Sequence, residues 1–340
     1  MKKRSTRTSI MLLALFLIVA GCMPLFLKKQ YYTNLMVQVL INIIIVTGLN
    51  FITGLTGQMN LGTAGIFALG AYTSALLTTK LGINPWLGLL ASILMGCIIG
   101  IGLGYPSLRL KGVYLALTTI GFSEVVRIFI TNLIDLTGGS AGINRIPPFT
   151  LFGHAFTDNV STFYLYLAIT AILLIFAQRV VKSKWGRMLK AIKDNPEALE
   201  TSGVNVAWPK ILAFTLAAVY GCIAGCLYAH FIRFIFPDEY TINFSINYVI
   251  MLVIGGVGSV PGAVLGTLLV MIVPEVLRFL ENYYWLLFSI ITLLFVIFLP
   301  NGLASIFSGD RRKSRLFSRA KSGAQKPERE VDRNEHNLKA

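Results

Sequence analysis

The sequence predicts an all-α polytopic membrane protein of about ten transmembrane helices, with both termini in the cytoplasm. Three observations carry this reading. Of 340 residues, 55% are hydrophobic and only 13% are charged, where soluble domains run to about a quarter charged. The apolar residues gather into long uncharged runs, among them the 19 residues from Ser9 to Leu27. At about 1.5 Å per residue such a run nearly crosses a hydrocarbon core ~30 Å thick. Finally, Lys and Arg are distributed unevenly between the runs. With the N-terminus inside, 23 of them fall in cytoplasmic stretches, 6 fall outside, and Arg127 lies within a span. Such an excess marks the cytoplasmic side. The same observation accounts for the net charge of +15, so nucleic acid is not expected as a partner. A disordered chain, a disulfide scaffold and an ordinary soluble enzyme are excluded by the long apolar runs.

The runs follow in order. After 9–27, candidate spans occupy 34–52, 60–79, 86–104, 112–134, 161–181, 210–231, 245–257, 262–280 and 283–299. Helices are expected throughout, because backbone groups in lipid must be satisfied within the segment. The span at 60–79 is rich in Gly and Thr, and 245–257 is short, so nine spans or a re-entrant segment near 54–70 stay open. Val19-Ala20-Gly21-Cys22 has the look of a lipoprotein signal. The apolar run continues through Pro24, Leu25, Phe26 and Leu27, and this favours a plain first helix. The chain thus divides into a cytoplasmic N-terminus at 1–8, a membrane domain at 9–300 and a tail at 301–340. The tail is charged and poor in apolar residues. It reads as disordered and close to anionic lipid headgroups. Residues 135–160 read as an ordered external loop with turns at Thr137-Gly138-Gly139-Ser140 and Pro147-Pro148. Cys222 and Cys226 stand one helical turn apart and are expected as buried thiols, with no metal site.

The cytoplasmic stretch 182–209 is the most informative polar segment. It reads as two short helices. Met188, Leu189, Ala191 and Ile192 give the first an apolar face. Asn195 caps the second, Pro196 suits its first position, and Gly203 stops it. An amphipathic connector resting on the bilayer fits the spacing equally well. The tight Gly186-Arg187 start and the Asp194-Asn195-Pro196 cap favour an element that docks into the groove of a partner.

Several motifs together resemble the M-type permease subunit of ABC importers for branched-chain amino acids. They are Gly54-Leu-Thr-Gly57-Gln58-Met-Asn60-Leu-Gly62-Thr-Ala64, Lys111-Gly112-Val-Tyr114-Leu-Ala116-Leu-Thr118-Thr119, and Thr137-Gly138-Gly139-Ser140-Ala-Gly142-Ile143. The Gly186-Arg187 to Pro196 stretch and Gly255-Gly256-Val-Gly258-Ser259-Val-Pro261-Gly262 complete the set. Asn60 stands where the family usually has Ser. The resemblance implies a type II ABC-importer-like permease in the bacterial cytoplasmic (inner) membrane. It implies a homologous H-type permease, two ATP-binding subunits docked beneath, and an external solute-binding protein. It also implies that residues 186–204, with Gly186, Arg187, Leu189, Ala191, Ile192, Asp194, Asn195, Pro196 and Gly203, couple to the ATPases.

The sequence contains no Gly-x-x-x-x-Gly-Lys-Ser/Thr, so no cofactor is expected on this chain, and ATP-Mg would sit on the partners. His154, His230 and His336 are far apart and have no nucleophile in a recognisable motif, so no enzyme is expected. The translocation path is expected along 54–79 and 112–134. Its candidate residues are Gly57, Gln58, Asn60, Gly62, Thr118, Thr119 and Glu124. Gln58 and Asn60 are costly in lipid unless paired or facing a cavity. The glycines suit tight helix packing equally well. Glu124 and Arg127 are spaced to form an ion pair on one face, near the outer interface. Gly255–Gly266 repeats the glycine interruption in the second half, a pattern associated with broken-helix transport sites. Two alternatives stay open: a urea or short-amide permease of the same family, and an ion-coupled secondary transporter. The scarcity of buried carboxylates weighs against the second.

Overall fold

The computed structural model describes residues 30–110, 112–151, 154–156, 158–278, 284–299 and 302–304, with positions 11, 13, 16–18, 20 and 21 before them. The expected N-terminus at 1–8, Cys22 of the lipoprotein-like motif and nearly all of the tail lie outside the described residues.

The described residues form a bundle of helices. Helix α1, Gln30–Leu49, runs without a break into a π-helical turn, Asn50–Thr56. Gly57 ends it with φ 72, a left-handed conformation that costs glycine little. Residues 57–62 are non-helical, and α2 is Thr63–Lys80. Then come α3 (Pro85–Ser107), α4 (Val113–Asn132) and α5 (Asn159–Lys182), followed by the short α6 (Lys184–Asp194) and α7 (Pro196–Thr201). Helices α8 (Ala207–Ile232), α9 (Ile242–Gly255), α10 (Val260–Leu277) and α11 (Tyr284–Phe298) complete the described bundle. Pro85 and Pro196 each open a helix, behind an Asn side chain that accepts a backbone N–H: Asn84 from Trp86 at 3.1 Å and Asn195 from Ala198 at 3.0 Å.

Among the described residues, six helices are long and apolar enough to cross a membrane: α1 with its π turn, α3, α4, α5, α8 and α10. Helix α2 is long enough but less apolar, because of its Gly and Thr content. Helix α9 has 14 residues, a rise of about 21 Å, and falls short of the ~30 Å core. The described positions between 11 and 21 are helical. Leu13 and Ala20 are buried, and the Tyr164 hydroxyl donates to the Gly21 carbonyl at 3.1 Å, so this stretch packs on the bundle.

Helix α8 is the central post, packed by α1, α2 and α3. Small residues allow this. A Cβ on Gly96 of α3 would lie 2.7 Å from the Val219 Cα, so the two backbones touch. Cys222 and Cys226 are fully buried there. Their thiols lie 3.4 Å from the Ile66 carbonyl and 3.2 Å from Ser74 Oγ.

Cross-links fix which helix ends share a side. At the end opposite α6, residues 143–144 pair with 234–235 in a short antiparallel ladder. Trp86 Nε1 donates to the Thr150 carbonyl at 2.8 Å, and Lys80 donates to the Asp135 carbonyl. His230 is fully engaged here. Its Nε2 lies 2.7 Å from Ser74 Oγ and its Nδ1 lies 2.6 Å from the Pro147 carbonyl. The described residues of 135–160 therefore cap this end. Gly138, Gly139 and Gly142 turn the stretch with φ of 78, 59 and 70.

Candidate functional site

The end carrying α6 joins three glycine-dependent features. The first is α6 itself. The Ser183 side chain accepts from Gly186 N at 3.3 Å and caps the helix. A Cβ on Gly186 would strike the carbonyls of Val180 and Val181, so only glycine allows the chain to turn this tightly out of α5. The apolar face expected to meet a partner is turned inward instead. Leu189 is 1% exposed and Ile192 3%; both belong to the chain's own core, with Ala191 half-buried between them. The face left to a partner holds Trp185, Arg187, Lys190 and Asp194, followed by Asn195 and the exposed residues of α7. Gly203, with φ 78, ends this segment.

The second feature is the break after α1. Thr56 Oγ1 donates to the Ile52 carbonyl at 2.7 Å and to Gln58 Oε1 at 3.1 Å. Gln58 is half-exposed. Asn60 is 2% exposed, and its Oδ1 accepts from Gly62 N at 2.9 Å, so it closes the turn that starts α2. Leu61 N donates to Thr119 Oγ1 at 3.0 Å, and Ala64 N donates to Ser245 Oγ at 2.9 Å. Two unpaired N–H groups at the start of α2 are thus met by hydroxyls from α4 and α9. A Cβ on Gly62 would lie 2.6 Å from the Thr119 carbonyl, and one on Gly65 2.8 Å from Ser123 Cα. The glycines serve close packing of α2 on α4.

The third feature is the second glycine cluster, 255–258, between α9 and α10. It meets the first break directly. The buried Asn50 side chain of the π turn accepts from Gly258 N at 2.8 Å. Helix α6 holds the same turn from the other side: Lys193 Nζ donates to the Gly54 carbonyl at 3.3 Å. Its stem lies along Gly57, where a Cβ would come 3.0 Å from Lys193 Cγ. One turn of π-helix, a geometry frequent at functional sites, is therefore gripped by both α6 and the second break. Asn50 and Ser245 lie outside every motif read from the sequence, and Lys193 lies within the 186–204 segment without being singled out there. An amide inside the apolar run of α1 is the available signal for Asn50, and membership of the 186–204 segment is that for Lys193; Ser245 has none.

The path candidates on α4 divide by face. Thr119 and Ser123 face the bundle, while Thr118, Gly121 and Val125 are exposed. Thr118 Oγ1 satisfies itself on the Tyr114 carbonyl at 2.9 Å. Glu124 is half-exposed and pairs with Arg127 at 2.9 Å, and Arg127 reaches Asp238 at 3.5 Å. Asp238 belongs to the turn Pro237–Glu239 beyond α8, so this trio stands near the end of the bundle opposite α6.

The arrangement is that of a helical body with a connector packed against its broken helices. Residues 31–297 match the family model for the permease component of branched-chain amino acid transport systems. The chain is 33% identical over 322 residues to the high-affinity branched-chain amino acid transport system permease protein LivM of Escherichia coli K12, covering 88% of this chain and 76% of that one. It is 26% identical over 265 residues to a probable LivM of Methanocaldococcus jannaschii, covering 71% and 76% of the two chains. It is 26% identical over 247 residues to the permease protein LivH of Escherichia coli K12, covering 66% and 78%. No solved structure matches the chain. The chain belongs to the family of branched-chain amino acid transport system permease components, and is an M-type permease subunit.

Proposed function

We propose that this subunit works in an ATP-driven importer for leucine, isoleucine and valine in a bacterial cytoplasmic membrane. It has ten spans and both termini are inside, in keeping with the distribution of Lys and Arg. An H-type permease pairs with it across the exposed face of α4, where Tyr114, Leu117, Thr118, Val125 and Phe129 stand unpacked. The path runs along that face, with Thr118 and Glu124 lining it; Asn60, Gly62 and Thr119 set its backbone from behind. Gly57 and Gln58 lie at its inner end. Two ATP-binding subunits, carrying ATP-Mg, dock on the outer face of α6 and α7, and an external binding protein delivers the solute to the opposite end. The LivM names of its relatives favour this solute over urea or short amides, and the family favours an ATP-driven over an ion-coupled permease.

The supporting observation is the grip of α6 on the π turn of α1. A push on Trp185 and Arg187 moves a helix whose other side is seated in the core through Leu189 and Ile192. That motion reaches Gly54 through Lys193 and the second break through Asn50 and Gly258. Packed elements shift as units rather than deform, so closure of the ATPases alters the broken segments at 57–62 and 256–259 together. The test is to replace Trp185 by Ala and Arg187 by Glu. The account expects insertion into the membrane to persist while co-purification of the ATP-binding subunits falls. Undiminished co-purification by the double variant would remove the docking role of this face.

A further inference from the structure

A cavity of about 360 Å³ lies between α1, α2, α8, α9 and α10, within the roughly 300–1,000 Å³ typical of small-molecule sites. It starts at the turn Pro237–Glu239, at the end opposite α6, and reaches Met251, more than two helical turns down α9. Its lining joins one carboxylate, Glu239, to the amides of Gln38, Asn42 and Asn247 and to the apolar side chains of Phe67, Phe244 and Met251. A second cavity of about 380 Å³ shares Gln38 and carries Arg233 and Asn34.

Glu239 and Asn42 are held in place but not fully satisfied. The Tyr228 hydroxyl donates to Glu239 Oε1, and the other carboxylate oxygen has no partner among the described residues. Burial pushes the Glu239 carboxyl above its usual range, and the Tyr228 hydrogen bond only partly opposes this. An added cation would offset that desolvation. The Tyr248 hydroxyl donates to Asn42 Oδ1 at 3.0 Å and so orients the amide. Its NH₂ is left with Met271 Sδ at 3.2 Å, a weak acceptor. The side-chain amides of the half-buried Gln38 and the exposed Asn247 have no hydrogen-bond partner among the described residues. Nearby, Phe67 and Phe244 pack edge to face with centroids 5.2 Å apart, giving a firm apolar surface. A free carboxylate oxygen on Glu239, the open amides of Gln38 and Asn247, each able to donate and accept, and an aromatic wall in one small space suit a ligand with both a cationic and an anionic end.

We propose that this cavity is a way-station for a free amino acid with an apolar side chain, its ammonium on Glu239, its carboxylate on the Asn42 and Asn247 amides, and its side chain against Phe67 and Phe244. The inference rests on the transport reading above and adds to it a solute site inside this subunit. An aminophospholipid headgroup presents the same pair of charges, so the test must separate the two sources.

The test uses the whole transporter in proteoliposomes, with Asn247→Cys labelled by a membrane-impermeant methanethiosulfonate. Leucine is expected to slow labelling at least fivefold, whereas 4-methyl-2-oxopentanoate, which lacks the ammonium, leaves it unchanged. Gln38→Cys, on the facing helix, repeats the measurement should the first thiol perturb the site. Glu239→Gln keeps an acceptor for Tyr228 and removes the charge. It should abolish the protection and raise the KM for leucine uptake about tenfold, with ATP-binding subunits still bound. Absence of protection in a complex that transports leucine overturns the site and leaves the transport reading standing. A complex with the native Asn247 and Gln38 that transports no leucine overturns both. Protection that follows phosphatidylethanolamine content rather than leucine assigns the cavity to lipid and overturns the proposal.

Discussion

Replacing Lys193 by Met keeps most of the stem along Gly57 and removes the donor to the Gly54 carbonyl. A hydrogen bond from a charged donor contributes about 1.5–3 kcal/mol when it is shielded. Lys193 is exposed and the bond is long at 3.3 Å; solvent screening reduces it to about 1 kcal/mol. That is roughly a fivefold shift between held and released states of the π turn. The predicted phenotype is uncoupling rather than unfolding, because Leu189 and Ile192 still anchor α6. The assay compares leucine uptake with ATP hydrolysis in proteoliposomes. Hydrolysis should stay within twofold of wild type while solute moved per ATP falls several-fold. Gly57→Ala should add to the effect, because a non-glycine residue held left-handed costs about 1–2 kcal/mol and its Cβ presses on Lys193 Cγ. Full coupling in Lys193→Met would refute the claim that α6 drives the break through this contact.

Three further outcomes are expected. Gly65→Val should lower thermal stability by about 1–3 kcal/mol, an overpacking cost, since its Cβ would sit 2.8 Å from Ser123 Cα; an unchanged melting temperature in detergent would show that α2 and α4 are not in close contact. His230→Leu leaves the Pro147 carbonyl without its partner and should speed proteolysis within 135–160 while α8 stays intact, with equal cleavage rates counting against a pinned cap. Reporter fusions at residue 150 and after residue 320 should read external and cytoplasmic, and an external reading for the tail would overturn the ten-span arrangement.

The sequence made the helices legible because each apolar run imposes its own hydrogen bonding. It also located the α6–α7 connector, since Asn195-Pro196 and Gly203 act through local backbone geometry that needs no partner. It misdirected the use of the apolar side chains on α6. Leu189 and Ile192 mark a buried face equally well whether the burying surface is another chain or their own, and periodicity carries no information about which. The same holds for Asn60. A buried amide in a broken helix suggests a path, yet here its oxygen is occupied by Gly62 N. The meeting of the two glycine breaks through Asn50 and Gly258 is a contact between residues 208 positions apart, and no local pattern encodes it. The division of Thr118 from Thr119 depends on how α4 is rotated against α2, which the glycines at 62 and 65 decide.

In the proposed assembly this chain moves branched-chain amino acids only as the M-type half of an ATP-driven importer. The most direct measurement reconstitutes it with an H-type permease, both ATP-binding subunits and the external binding protein, and follows labelled leucine into vesicles. The account predicts uptake that requires ATP and all five proteins, is competed by isoleucine and valine, and survives collapse of ion gradients by ionophores. Uptake driven by an ion gradient without ATP, or undiminished when this chain is left out, would contradict it.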